Sequence, residues 1–134
     1  TKTLADNPKL GKALTGAWYE IMATMQGDSA KAIQARSLMA EASGTDLAGY
    51  DAQLASTKMF YSAKDAVAFN NSTDLINTMS KVAEFSFEHG LLGEGASDAK
   101  FIGIETPSGV YGSKQNIKLR FDPTYMQMAV DNKL

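Results

Sequence analysis

The chain has 134 residues, enough for one modest domain with a single core. An apolar content of 44 % and a charged content of 21 % are typical of globular proteins and exclude a disordered chain. The net charge of −2 favours neither nucleic acid nor an anionic membrane surface as a partner, and the lack of cysteine excludes disulfides, zinc–thiolate sites and thiol catalysis.

The start of the chain indicates that it was processed or excised from something longer. It begins at Thr1 with no initiator methionine and no hydrophobic signal segment. We therefore expect a piece of a larger protein. No uninterrupted apolar run approaches the roughly 20 residues that a membrane-spanning helix requires.

The first predicted helix begins after Asn7 and ends at Gly27. Asn7 is a favoured N-cap, and Pro8 at the first helical position loses nothing by lacking an N–H. Apolar residues recur at helical spacing along it, namely Leu10, Leu14, Ala17, Trp18, Ile21, Met22 and Met25. We expect this face to lie in the core; the alternative for Trp18 is to stack on a ligand.

Two shorter helices are predicted over about 29–43 and 46–54. Asp28 or Ser29 caps the first of them, Gly44 ends it, and Thr45 caps the next. Helices joined by such short links pack as neighbours. This helical block, residues 1–56, carries no catalytic pattern and is predicted to be scaffold.

A second block, residues 57–92, opens with a short extended segment and continues with two helices. Aromatic side chains favour strands, so residues 57–62 are predicted to be extended, and a short helix follows over 63–69. The central helix covers 73–89, and we expect the other helices to pack on it. Its apolar stripe is Leu75, Ile76, Met79, Val82, Ala83 and Phe87. Gly90 is placed for a left-handed cap, with Leu91 folding back onto the last turn.

The third block, residues 93–134, contains the predicted strands and a terminal helix. Residues 101–105 are expected to be extended, and residues 116–122 alternate apolar and basic side chains as a strand does. A Pro-Ser-Gly turn lies between them, and a last helix runs over 124–131. The fold is thus predicted to be mainly α-helical with one or two short strands, in a single domain or fragment.

Residue types used in catalysis are sparse. His89 is the only histidine, and on a helix its neighbour Glu88 points about 100° away, so the two cannot share a metal ion. Neither a Ser–His nor a Cys–His mechanism has support. The glycine-rich stretch 90–97 follows a helix and lacks the ending of a phosphate-binding loop. We predict no enzyme activity, no metal and no cofactor.

Phe60 and Tyr61 are the residues for which a binding role competes with a structural one. Aromatic residues on an extended segment between helical blocks either line a cleft or fill a core, and the sequence leaves both open. Lys118 and Arg120, by contrast, alternate with apolar residues as the solvated face of a strand does.

Four segments carry a family resemblance: DNPKLGKALTGAWYE at 6–20, TKMFYSAKDAVAF at 57–69, FSFEHGLLGEG at 85–95 and KLRFDPTYMQMA at 118–129. They resemble the C-terminal part of solute-binding proteins of ABC transporters in the nitrate, sulfonate and taurine class, above all the branch labelled as urea transporter binding proteins. The likeness covers nearly all of the chain in the same order. The last two segments are the more specific ones.

The resemblance implies the C-terminal segment of a type II periplasmic-binding fold, whose two α/β lobes close on a small solute. The solute would contain nitrogen or sulfur, as urea, nitrate, taurine or a sulfonate does, and would be delivered to an ABC permease. A complete member is considerably longer, so the first lobe would lie in the remainder of the parent chain. The implied location is periplasmic or extracytoplasmic, with or without a lipid anchor.

For the site, the resemblance implies Phe60 and Tyr61 alone, because residues 57–62 fall near where the family's chain passes back between the lobes. The loop at 90–96 is expected to serve contacts either to the permease or within the protein. Expected partners are a small-molecule solute, the permease, the rest of the parent chain and a second copy of this chain, with no nucleic acid.

Two other functions are weighed against solute binding. A self-contained helical interaction module would have an exposed apolar patch along one helix, buried by dimerisation. An enzyme is the third alternative, since relatives of the binding-protein fold synthesise the thiamin pyrimidine with histidine and cysteine residues. One histidine and no cysteine argue against it.

Overall fold

A computed structural model describes residues 2–134, which form seven helices and three strands. The helices are α1 (Lys2–Asp6), α2 (Pro8–Met25), α3 (Ala30–Ala42), α4 (Leu47–Ala55), α5 (Ala63–Asn70), α6 (Thr73–Glu88) and α7 (Thr124–Val130). The strands are β1 (Gly103–Thr106), β2 (Gly109–Gly112) and β3 (Ile117–Arg120). The prediction of a mainly helical chain is confirmed, with one strand more than expected.

The chain divides into two compact units. The helical unit comprises the described residues up to Ala66 together with Tyr125–Leu134, and the mixed unit comprises Val67–Thr124. No helix in the described part of the chain is long and apolar enough to cross a membrane.

In the helical unit, α2, α3 and α4 pack in sequence order, as their short links predict. The Ser29 hydroxyl accepts a hydrogen bond from the Ala32 N–H at 3.1 Å and so caps α3. The next cap is Asp46, whose carboxylate accepts from the Gly49 N–H at 2.8 Å. The prediction of Thr45 as this cap is wrong, because α4 begins at Leu47 and Thr45 lies one residue too early.

The interior of the helical unit is built from small and flexible side chains. Ala32, Ala40, Met22 and Met25 are its most buried apolar residues. Alanines let helix axes approach closely, and methionine fills the irregular gaps between them.

Helix α2 has two faces, and the predicted core face is largely the exposed one. Its fully buried residues are Gly11, Met22 and Met25. Trp18 is 57 % exposed, and the prediction that it lies in the core is wrong. The other large residues of that face are also exposed, namely Leu10, Leu14 and Ile21. Periodicity identifies an apolar face, but the packing partners decide whether it is buried, and α3 packs on a neighbouring face.

In the mixed unit, α6 packs on β1 and β2, and is not the centre on which the other helices pack. Leu75 and Ala83 are its buried residues, whereas Val82 and Phe87, predicted to be buried, are exposed. The predicted cap is confirmed: Gly90 has φ 69°, and the Leu91 N–H donates to the Ser86 carbonyl at 2.8 Å. Leu91 itself is exposed and does not fold back.

The three strands form a sheet in the order β2-β1-β3, antiparallel between β1 and β2 and parallel between β1 and β3. Both predicted strand regions contain a strand, β1 overlapping 101–105 and β3 lying within 116–122. Strand β2 was not predicted, because its four residues begin and end in glycine and are too few to show alternation. Gly112 is required there: it has φ 75°, and a Cβ would lie 2.0 Å from the Ile102 carbonyl oxygen.

Candidate functional site

Arg36 organises the surroundings of the candidate site from the middle of α3. Helix α2 ends with carbonyl groups that have no partner within the helix, as every helix does. The Arg36 Nη1 donates to two carbonyl oxygens at this end, that of Met25 at 2.8 Å and that of Gly27 at 2.6 Å. A buried guanidinium therefore satisfies the end of α2 and complements the negative pole of the helix.

The same guanidinium ties α3 to α4 through a carboxylate. Its Nε donates to the Asp51 Oδ1 at 2.7 Å, and Arg36 as a whole is only 8 % exposed. Asp28 adds a longer contact at 3.8 Å from a carboxylate that is 98 % exposed. The buried positive charge is thus paired and hydrogen-bonded, which is the condition for burying it at all.

A cleft of about 320 Å³ opens beside this cluster and lies wholly within the helical unit. Its wall is formed by the end of α2, by Arg36 and Asp51, and by the last turn of α4. Tyr61 completes the lining from the connector between α4 and α5. Its volume is at the lower end of the range of small-molecule pockets, and its wall combines apolar surface with charge.

Of the two predicted site residues, Tyr61 is the one that lines this cleft. It is half-buried, and among the residues described no hydrogen-bond partner is found for its hydroxyl. The connector that carries it, residues 58–61, belongs to no helix and to no strand of the sheet, so the predicted extended segment is unpaired. The aromatic run is too short to pair with a strand. The ends of the two helices on either side of it, α4 and α5, determine its path.

Phe60 has a different environment from that of Tyr61. It is half-buried, and the Lys58 Nζ lies over its ring at 5.6 Å from the centroid, within the range of a cation–π contact. Phe60 is not part of the cleft wall around Arg36. The structure therefore associates only one of the two predicted residues with this cleft.

A second cleft, of about 290 Å³, lies at the carboxyl ends of β1 and β3 in the mixed unit. Glu105 and Arg120 are paired across the two parallel strands, and the Arg120 Nε donates to the Glu105 Oε2 at 2.5 Å. Arg120 is largely exposed, which confirms the predicted solvated face. An ion pair between two exposed side chains contributes little to stability.

Asp122 in this second cleft has a perturbed carboxyl group. The Thr124 hydroxyl and the Thr124 backbone N–H both donate to its Oδ1, at 2.5 and 2.9 Å, and these bonds hold the pKa of Asp122 below its ordinary value. The bonds close a turn just before α7, so the shift has a local structural cause.

His89 has a capping role at the end of α6. Its Nδ1 donates to the Phe85 carbonyl oxygen at 2.9 Å, and its ring stacks on Phe85 with centroids 3.9 Å apart. His89 is therefore a hydrogen-bond donor at the end of the helix. No cluster of three or more potential metal-ligating side chains occurs within residues 2–134.

The sequence did not single out Arg36 or Asp51 as part of a site. An arginine within an alanine-rich helix has the same local pattern whether it is solvated or buried, and its four contacts come from two other segments. A signal was nevertheless present: Gly27 ends α2 next to a short link, which brings the following helix close to unsatisfied carbonyls.

Comparisons of the chain with known protein families, with curated proteins and with solved structures find no match.

Proposed function

We propose that the chain is part of an extracytoplasmic solute-binding protein that captures a small nitrogen- or sulfur-containing solute and delivers it to an ABC permease. The proposal assigns binding, not catalysis, to the cleft beside Arg36. The proposal is supported by the sequence resemblance over nearly the whole chain and by the chemistry of this cleft.

The observation that carries the proposal is the position of Tyr61. Tyr61 belongs to a cleft wall in which the neighbouring guanidinium is already occupied by two carbonyls and a carboxylate. A phenol can donate one hydrogen bond and accept others, so it suits either the oxygen or the N–H of a small polar solute. Asp51, which is partly exposed, offers further acceptor capacity to an amide or ammonium group.

A thermal-shift screen of the chain tests the proposal with urea, acetamide, nitrate, taurine and an alkanesulfonate as probes. A ligand at a hundred times its dissociation constant adds about 2.7 kcal/mol of stability. We expect at least one probe to raise the melting temperature of the chain by several degrees.

Tyr61→Phe is the informative variant because it removes only the hydroxyl. We expect it to abolish or greatly reduce the shift. Tyr50→Phe is the matched control, since the Tyr50 hydroxyl donates to the Met39 sulfur at 3.4 Å and Tyr50 is not part of the cleft wall. An equal shift in all three proteins would remove Tyr61 from the site, and no shift with any probe would contradict solute binding by this chain.

One observation favours the second candidate function, a helical interaction module without a small ligand. The apolar face of α2 that includes Trp18 is exposed, as such a module requires. The two functions differ in what stabilises the protein. A module is stabilised by raising the concentration of its protein partner and is indifferent to the five probes.

A further inference from the structure

Helix α2 carries an exposed apolar stripe consisting of Leu10, Ala13, Leu14, Ala17, Trp18 and Ile21. Their spacing of three, one, three, one and three residues places all six on one side of an α-helix. Every member is exposed, and Leu14 and Trp18 are 60 % and 57 % exposed. Single exposed apolar residues are ordinary on protein surfaces, but a continuous stripe of this kind marks an interaction surface.

The stripe has the small and large side chains that helix packing uses. Ala13 and Ala17 alternate with larger residues, so a second helix can approach closely between them. With 18 residues, α2 is about 27 Å long, and the stripe extends over most of that length.

The charges beside the stripe indicate which helix fits it. Lys9 and Glu20 are exposed on the same flank of the stripe, one near each end, and their side chains have no ion-pair partner within the described residues. The midpoint between these two positions lies within one residue of the midpoint of the stripe. An antiparallel copy of α2 would therefore match apolar stripe to apolar stripe and place Lys9 of each copy beside Glu20 of the other.

We propose that a second copy of this chain covers the stripe, through an antiparallel, two-fold symmetric pairing of α2. Such an isologous contact makes each favourable pair occur twice. The proposal does not depend on solute binding; it uses the same apolar face that favours an interaction module and names a second copy of the chain as its partner.

The size of the stripe predicts a modest affinity. Its four large side chains are 36–60 % exposed and together present roughly 400 Å² of apolar surface in one copy, the size of patch that marks an interaction site. Two copies would bury about 800 Å² from these residues and somewhat more from their neighbours, which is below the roughly 1,200 Å² of a stable interface and typical of a weak one. We expect a reversible dimer with a dissociation constant on the order of micromolar.

Sedimentation equilibrium of the chain, over a hundredfold range of concentration around this value, tests the pairing. We expect the average mass to rise from monomer to dimer. Leu14→Gln should weaken association by at least tenfold, because it removes an apolar residue from the centre of the stripe. Leu91→Gln is the matched control: Leu91 is 69 % exposed but belongs to the mixed unit, so its loss should leave association unchanged.

A charge exchange tests the antiparallel arrangement specifically. Lys9→Glu and Glu20→Lys should each weaken the dimer, and the double variant should restore it, since opposite charges again face each other across the contact. If the single substitutions weakened the dimer by unfolding the chain, the double variant would not restore it. A chain that stays monomeric throughout, or a dimer that Leu14→Gln leaves intact, would overturn the proposal. A dimer for which the double variant is as weak as the single ones would overturn the antiparallel pairing.

The fluorescence of Trp18 gives an independent measurement, as it is the only tryptophan. We expect its emission to shift to shorter wavelength and its quenching by acrylamide to fall as the protein concentration rises. An emission spectrum that does not change while the mass doubles would place the contact elsewhere on the chain and contradict the proposal.

Discussion

The guanidinium of Arg36 takes the place of the solvent that would otherwise satisfy the last carbonyls of α2. Because its partners come from α2, α4 and the link after α2, this one side chain fixes the relation of three helices. The same bonds join the segments that form the wall of the cleft containing Tyr61.

Replacement of Arg36 by methionine tests this role. The variant keeps much of the aliphatic volume and removes all of the donors, leaving two carbonyls and the Asp51 carboxylate without their partner. We expect the free energy of unfolding to fall by about 2 kcal/mol, a value below that of a fully buried pair because Asp51 is partly exposed.

Guanidinium chloride denaturation measures this loss, and Asp28→Asn is the matched control. Asp28 is nearly fully exposed and lies 3.8 Å from the guanidinium, so its substitution should not change the denaturation midpoint measurably. Equal midpoints for the Arg36 and Asp28 variants would contradict this structural role of Arg36.

The lowered pKa of Asp122 predicts that the stability of the folded chain depends on pH in the acidic range. Hydrogen bonds from Thr124 lower its pKa in the folded chain relative to the unfolded chain. Its contribution is therefore fully present above the unfolded pKa of about 3.9, and is lost as the pH falls through the lower folded value. Carbon-13 NMR titration of the Asp122 carboxyl should show this low pKa.

Thr124→Val is the matching variant for the carboxyl titration. It removes the hydroxyl donor and leaves the backbone N–H, so the pKa of Asp122 should rise towards its ordinary value. The assignment of this shift to the hydrogen bonds from Thr124 would be wrong if the titration curves of the two proteins coincided.

At the scale of the elements, local signals predicted where helices begin and end. Pro8, Gly27, Ser29 and Gly90 act through the backbone of their own neighbourhood, and the structure has a helix boundary at each of them. Such signals need no knowledge of the rest of the fold.

The faces of the helices were predicted less well than their ends. Trp18 and Phe87 satisfy the periodicity of a buried stripe, yet both are exposed, since periodicity does not specify what packs on a stripe. Strand β2 and the Arg36 cluster were missed for a related reason. A four-residue strand and a buried arginine are defined by partners distant in sequence, and a single chain does not reveal those partners.

Packing between α2 and α7 gives a prediction at this scale. Gly11 lies against the Tyr125 ring, and a Cβ at this position would be 2.3 Å from the Tyr125 Cζ. Gly11→Ala should therefore destabilise the chain by about 1 kcal/mol, because the cost of overpacking exceeds the gain of about 1 kcal/mol in helix propensity.

Gly16→Ala is the control on the same helix and should have the opposite sign. The nearest atom to its Cβ would be Leu134 Cδ1 at 3.6 Å, which is an ordinary contact, so only the gain in helix propensity remains. Denaturation midpoints measure both variants. Stabilisation by both substitutions would show that Tyr125 does not pack on Gly11.

For the whole molecule, the two proposals concern different parts of the helical unit and have separate tests. Solute binding uses the cleft at the carboxyl end of α2, whereas dimerisation uses the exposed stripe of the same helix. Leu14→Gln should leave the response to a solute unchanged, and Tyr61→Phe should leave the mass of the protein unchanged.

The central claim is that a small solute binds beside Tyr61. Its most direct test is an NMR titration of the ring resonances of the five tyrosines with each of the five probes, with Tyr61 assigned by means of Tyr61→Phe. We predict that one probe moves the Tyr61 resonance saturably and leaves that of Tyr111, in the mixed unit, in place. A Tyr61 resonance that no probe moves, or a saturable response at Tyr111 alone, would contradict the claim.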